Sequence, residues 1–229
     1  IEIQRHFESD EKNYEDFFQK EKVRLIYNGI EEDFINKKKT NSIRKDLGFG
    51  ENDFLLLTVG RLLPRKGQDF VIKALSKIEN PNIKYICVGE GRYLKSYKEL
   101  VGSLNLQNRV VFVGGVSNNK IHQYYDAADI FILCNRTWNS KIEGLPNVAI
   151  ESMARGVPVI GSIDSGTEEL ILNNKTGFLV DPYEISDIKN KINHAYNTRK
   201  DLYTMGELAR GFIKENFNYN RMKEEYLRL

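Results

Sequence analysis

A chain of 229 residues with 41% apolar and 29% charged side chains has the make-up of an ordinary folded protein, long enough to bury a sizeable core. Its 34 Lys and Arg nearly cancel 32 Asp and Glu, leaving a formal charge of +2, so no overall field gathers nucleic acid and charge-driven function must be local. No run approaches the ~18 consecutive apolar residues of a membrane span, and the opening Ile1-Glu2-Ile3-Gln4-Arg5-His6 has no signal-peptide pattern.

Residues 1–22 are polar and charge-rich and read as a helical or linker segment. The strand-like Val23-Arg24-Leu25-Ile26-Tyr27 before Asn28-Gly29 is expected to lead into a sheet, and the basic run from Asn36 to Asn41 to form a solvated loop. From Asp53 onward, short apolar runs alternate with helical patterns: Phe54 to Val59, then Phe70 to Ile78; Tyr85 to Val88, then Tyr93 to Leu104; Val110 to Val113, then Lys120 to Ala127. The series continues with a strand Ile130 to Cys134, a helix Asn147 to Arg155, a strand Val157 to Ile160, a short helix near Glu168 to Leu172 and a strand Gly177 to Val180. Strands uniform in Val, Ile, Leu and Phe are covered on both faces, which predicts an α/β fold: a doubly wound, Rossmann-like parallel sheet with helices on both sides. The sheet region spans 23–183, and 184–229 reads as two or three helices packed on its flank, ending in the amphipathic Tyr219 to Leu229. Cys87 and Cys134 each lie in a strand, where a thiol serves as a small core residue, and a reducing cytoplasm is the simpler setting.

Ligands of doubly wound sheets sit at the carboxyl ends of the strands, so the turns that follow them are the places for chemistry. After Val59 comes Gly60-Arg61-Leu62-Leu63-Pro64-Arg65-Lys66-Gly67, with three cations before a helix. Such a loop suits a phosphate group, or is a solvated basic turn. Gly89-Glu90-Gly91 is by itself a turn. Gly114-Gly115-Val116-Ser117 offers backbone groups to a planar base, or is a turn capped by Ser117. In Glu143-Gly144-Leu145-Pro146-Asn147-Val148-Ala149-Ile150-Glu151, a loop carboxylate and a glycine precede a helix with Pro146 at its first position. Glu151 then lies on or beside a buried face, where hydroxyl donors would satisfy it; the alternative is a wet-surface Glu. Ser165 or Thr167 can cap the helix after Gly161. His6, His122 and His194 sit in polar surroundings without ligand-like spacing, and no metal is expected; Trp138 either lines a pocket or anchors its own loop.

In order and spacing, Ile26-Tyr27-Asn28-Gly29-Ile30, Val59-Gly60-Arg61 with Lys66-Gly67, Gly89-Glu90-Gly91, Val111-Phe112-Val113-Gly114, Glu143-Gly144-Leu145-Pro146-Asn147 with Glu151, Gly156-Val157-Pro158-Val159-Ile160 and Asn174 to Val180 resemble the C-terminal half of GT-B glycosyltransferases, in the retaining family 4 group. The resemblance implies the donor-binding domain of an enzyme that moves a sugar from a UDP-, GDP- or ADP-sugar to a glycan or lipid-linked acceptor. It implies that Arg61 and Lys66 hold the donor diphosphate in place of a metal and stabilise charge on the leaving group. Glu143 would meet sugar hydroxyls, Glu151 the ribose hydroxyls, and the backbone from Gly144 through Leu145 and Pro146 to Asn147 the sugar and phosphate. Gly60 and Glu90 join the donor side, and the turn near Val116 receives the base. No further cofactor is implied.

The family's N-terminal, acceptor-binding half has no counterpart here, and the start at Ile1 favours one longer native chain; such a chain alone binds donor and transfers poorly. The expected location is the cytoplasm, with any peripheral association at the inner face of the membrane coming through the missing half. Asp164-Ser165-Gly166-Thr167-Glu168 departs from the paired glycines and proline of relatives, and with the Trp138 loop leaves donor identity open. Two alternatives stand beside this one: a non-catalytic nucleotide-sugar-binding module, and a GT-B relative of other chemistry such as a sugar-nucleotide epimerase or a phosphorylase.

Overall fold

The computed structural model describes residues 25–40, 42–141 and 143–229. Six strands, β1 (Phe54–Val59), β2 (Ile83–Val88), β3 (Val110–Gly114), β4 (Ile130–Leu133), β5 (Val159–Ser162) and β6 (Gly177–Val180), form one parallel sheet in the order β3-β2-β1-β4-β5-β6. The order steps outward from β1, returns, and steps outward again from β4. Right-handed crossovers therefore place helices on both faces, and the reversal between β1 and β4 opens a crevice at their carboxyl ends.

The helices are α1 (Glu32–Asn36), α2 (Ser42–Asp46), α3 (Gln68–Leu75), α4 (Leu94–Ser103), α5 (Asn118–Ala127), α6 (Asn147–Ala154), α7 (Ile185–Asn197), α8 (Leu202–Asn216) and α9 (Tyr219–Leu227). Alternation along the strands divides the core. Phe54, Leu56, Tyr85, Cys87, Ile130 and Ile132 meet Val71, Ile72 and Leu75 of α3, Tyr97 and Val101 of α4, and Ile188 and Ile192 of α7. The intervening Leu55, Leu57, Ile86, Val88, Phe131 and Leu133 meet Ile121 and Tyr125 of α5, Ile150 and Met153 of α6, and Ala209 and Ile213 of α8. This double coverage is why the strands carry apolar residues at nearly every position.

Several expectations are corrected. Leu25 to Tyr27 lie outside the sheet; Ile30 instead exchanges backbone bonds with Phe217 (2.8 Å) and Tyr219 (3.0 Å), joining the segment to the α8–α9 link. Val23, Arg24 and the segment 1–22 fall outside the described residues. The strand expected at Val157 begins at Val159 because Pro158 has no amide for the ladder. The helix expected near Glu168 to Leu172 is a single 3-10 turn, Gly166–Glu169, capped by Ser165 at 3.4 Å from the Thr167 amide. Lys37, Lys38 and Lys39 are exposed, as a solvated loop requires.

Several polar groups inside the core are specifically paired. Tyr85 donates to Thr58 Oγ1 (2.8 Å), and Thr58 donates to the Ile132 carbonyl (2.5 Å). Arg155, only 1% exposed, forks onto the fully buried Asp126 (2.8 and 3.0 Å) and donates to the carbonyls of Phe34 (2.8 Å) and Lys37 (2.7 Å), tying the segment before the sheet to the end of α6. Both cysteines are free and buried, and burial pushes the Cys87 thiol up to about 12 and the Cys134 thiol upward as well.

Candidate functional site

The loop after β1 turns on glycines. Gly67, at φ 71, ends the 3-10 turn Pro64–Lys66, and a Cβ there would lie 1.9 Å from the Cys134 carbonyl oxygen, so the loop is seated directly on the end of β4. The first turn of α3 is thereby covered: Asp69 there is gripped by Arg136 (2.9 and 3.0 Å), whose guanidinium also lies 4.1 Å over Phe70. Neither helix N-terminus next to the crevice carries a side-chain cap; the first turn of α3 already holds a carboxylate of its own in Asp69, whereas that of α6 has no acidic residue. Pro146 is the cap residue of α6, one position earlier than expected, because its ψ of 115 is extended.

The three loop cations take different positions. Arg61 is exposed, its carbonyl held by Gln68 (3.1 Å). Lys66 folds back over Gly60, where a Cβ would stand 3.8 Å from Cε, and its ammonium bonds Glu143 Oε1 at 2.5 Å. Arg65 Nε stands 3.1 Å from Glu143 Oε2. Arg65, Lys66 and Glu143 are 22%, 12% and 15% exposed, so this carboxylate is shared by two cations in a largely dry crevice. The Glu143 carbonyl accepts from Gly166 (3.2 Å), so the residue spans from the β1 loop to the β5 loop across the end of β4. At that end Asn135, 1% exposed, has no partner among the described residues for either carboxamide atom.

Gly144 and Leu145 pack against Gly166, whose missing Cβ would stand 2.4 Å from the Leu145 nitrogen. Asn147 is exposed, and its Oδ1 accepts from Asn28 (3.0 Å). One turn along, Glu151 takes a 2.7 Å bond from the phenol of buried Tyr125. Burial raises the Glu151 pKa above its ordinary value while the Tyr125 bond pulls it back; burial beside that carboxylate raises the phenol far more, so the proton stays on Tyr125. The half-buried position of Glu151 and its bond from Tyr125 argue against the wet-surface reading. Tyr125 was not singled out from sequence, although it shares the apolar face of α5 with Ile121.

Toward β2 and β3, the Glu90 carbonyl accepts from Leu62 (2.9 Å), and its exposed carboxylate lies along Gly115. Val116 is half-buried at the same rim. Ser117 precedes α5 but does not cap it; its hydroxyl meets Asn119 Oδ1 at 2.6 Å. Gly60, Lys66, Glu143 and Gly144 to Asn147 thus line the β1–β4 crevice, with Glu151 one turn below and Arg61, Glu90 and Val116 on the rim.

Trp138 anchors its own loop. It exchanges backbone bonds with Lys141 (3.2 and 3.1 Å) around Asn139 and Ser140, both at positive φ (50 and 57), and packs edge-on against Tyr93 (6.3 Å) with Arg92 over its ring (5.6 Å). His122 is buried, with Lys37, Asp126 and Arg155 still near enough to act on it, and burial lowers its pKa. Among the described residues no three His, Cys, Asp or Glu side chains converge as a metal would need, and no helix is long and apolar enough to cross a membrane.

A family model described as "Glycosyl transferases group 1" matches residues 39–212. The chain is 29% identical over 184 residues to the GDP-mannose-dependent alpha-(1-6)-phosphatidylinositol monomannoside mannosyltransferase of Mycobacterium tuberculosis, covering 79% of this chain and 48% of that one. It is 31% identical over 226 residues to an uncharacterized glycosyltransferase of Methanocaldococcus jannaschii, covering 95% and 55%. Anabaena HepE in complex with UDP-glucose superposes with a TM-score of 0.81 at 28% identity, over 93% of this chain and 59% of that one. The chain spans about half the length of the curated relatives it matches (48% of the first).

Proposed function

We propose, from the premise that this chain belongs to the glycosyl transferases group 1 family, that it is the donor-binding half of a retaining, metal-independent glycosyltransferase acting on a nucleotide-sugar. The observation that carries the reading is the meeting of Lys66 with Glu143 at the β1–β4 crevice, beside the uncapped N-terminus of α6. Phosphate oxygens would be received by Lys66, by Arg61 from the rim and by the α6 amides near Pro146 and Asn147. Sugar hydroxyls would donate to Glu143. Glu151, half-buried and already accepting from Tyr125, would accept from the ribose as well. The base would lie toward Val116 and Glu90, at the β2–β3 side.

In the transfer step the bond from the anomeric carbon to the donor phosphate breaks, and charge accumulates on the departing diphosphate. Fixed cations at Arg61 and Lys66 would stabilise that charge electrostatically, while the acceptor hydroxyl oxygen bonds the anomeric carbon and its proton leaves with the diphosphate. Relatives named for GDP-mannose and a neighbour holding UDP-glucose support a nucleotide-sugar donor. The acceptor would bind in the part of the enzyme beyond this chain, together with any peripheral contact with the inner face of a cytoplasmic membrane.

Calorimetric titration with UDP, GDP, ADP, UDP-glucose and GDP-mannose, with and without chelator, tests the reading. Saturable binding of one nucleotide series, insensitive to chelator and lost in Arg61→Ala, is the expected result. Binding to none of them refutes it, and binding abolished by chelator refutes metal independence.

A further inference from the structure

Of the three cations after β1, the family resemblance gives work to Arg61 and Lys66 and none to Arg65. We propose that Arg65 is a positioning residue for the sugar: it holds the Glu143 carboxylate in place once Lys66 turns to the donor diphosphate. The inference rests on the donor-binding reading and deepens it.

Three observations carry it. First, Lys66 is paired with Glu143 Oε1 at 2.5 Å, so an arriving diphosphate competes with that carboxylate for the same ammonium. Without another cation, Glu143 would be left at 15% exposure with its charge uncompensated, a costly arrangement. Arg65 supplies that cation at 3.1 Å from Oε2. Second, the contact is coulombic rather than a hydrogen bond: Oε2 is buried and accepts no aligned N–H, although Nε is within reach. Oε2 thus carries no hydrogen bond of its own while its charge is already neutralised, and a sugar hydroxyl would reach it only once Lys66 turns to the diphosphate and uncovers the carboxylate. Third, the backbone of Arg65 is fixed beside the carboxylate. Its carbonyl accepts from Arg136 (2.9 Å), Pro64 precedes it in a 3-10 turn, and Gly67 after it is locked against Cys134.

A cation acting on phosphate would affect nucleoside diphosphate and nucleotide-sugar alike. One acting through Glu143 affects only the ligand that carries a sugar. The test is calorimetry on wild type, Arg65→Met, Arg65→Lys, Glu143→Gln and the double variant, using the pairs UDP and UDP-glucose, and GDP and GDP-mannose. Arg65→Met is expected to weaken the sugar-bearing ligand of the bound pair by about tenfold, the scale of one charge-assisted hydrogen bond, and its diphosphate by no more than about twofold. Arg65→Lys should restore most of the difference, and in the Glu143→Gln background Arg65→Met should have no further effect.

Equal loss for both members of the pair, or no loss for either, overturns the proposal while leaving the donor reading intact. An additional loss on top of Glu143→Gln also overturns it, because Arg65 would then act directly. If wild type binds neither pair, the donor reading itself falls and takes this inference with it.

Discussion

Replacing Gly67 by Ala isolates how much the seat of the cation loop contributes. The new methyl meets two penalties. A left-handed residue with a side chain costs ~1–2 kcal/mol, and a Cβ placed 1.9 Å from the Cys134 carbonyl oxygen and 2.7 Å from its carbon must push backbone away from backbone. Overpacking of that kind costs ~1–3 kcal/mol, so the total is ~2–5 kcal/mol. Gly48 provides the control: its φ of 73 nearly equals the 71 of Gly67, yet nothing lies within 4 Å of its would-be Cβ. Gly48→Ala therefore carries only the conformational penalty, and any gain from a stiffer unfolded chain cancels in the comparison. Urea unfolding of wild type and both variants should separate them by ~1–3 kcal/mol. Nucleotide titration should show binding lost in Gly67→Ala, whose displaced loop misplaces Lys66, and kept in Gly48→Ala. Equal destabilisation by the two substitutions would refute the claim that close approach, rather than φ alone, demands glycine at position 67.

Arg155→Leu should cost ~3–5 kcal/mol in the same assay, since Asp126 is left fully buried with its charge uncompensated; pairing it with Asp126→Leu should recover most of the loss, and a double variant no better than the single one would contradict the buried-charge account. The raised Glu151 pKa means that the unfolded chain releases this proton before the native one does. Stability attributable to Glu151 is accordingly present below its unfolded pKa and lost as pH rises through the folded value. Denaturation midpoints taken from about pH 4 upward should fall in wild type relative to Glu151→Gln, and identical slopes in the two proteins would exclude the effect.

The sheet was legible because burial on both faces writes itself into composition: Leu55-Leu56-Leu57 and Ile130-Phe131-Ile132 admit few other placements. The C-terminal helices at 185–227 were legible from amphipathic spacing. Tyr27 misled because a short aromatic and β-branched run has the same composition whether it pairs with a sheet or, as Ile30 does, with the link between two helices. His122 misled through its polar sequence neighbours, since helix α5 turns it inward beside Ile121. At the site, the residue types and their order pointed to the crevice, whereas pairings did not. Nothing local to Arg65 or Tyr125 announces Glu143 or Glu151 as partners, since these contacts join loops and helices from different crossovers. Arg155 and Asp126 were missed for a similar reason: a lone charge looks solvated until its counterion, 29 residues away in the chain, is seen facing it.

The two thiols give this fold an internal reporter. A thiol held up to about 12 at Cys87, and raised likewise at Cys134, offers almost no thiolate to an alkylating reagent at neutral pH while the sheet is closed. Labelling must therefore wait for an opening event. Cys87 lies in mid-sheet within β2, so its labelling rate would track global unfolding, whereas Cys134 lies directly beneath Gly67 and would also register local detachment of the cation loop. A ligand that clamps that loop would slow modification at Cys134 more than at Cys87, turning ordinary thiol chemistry into a residue-by-residue gauge of site closure.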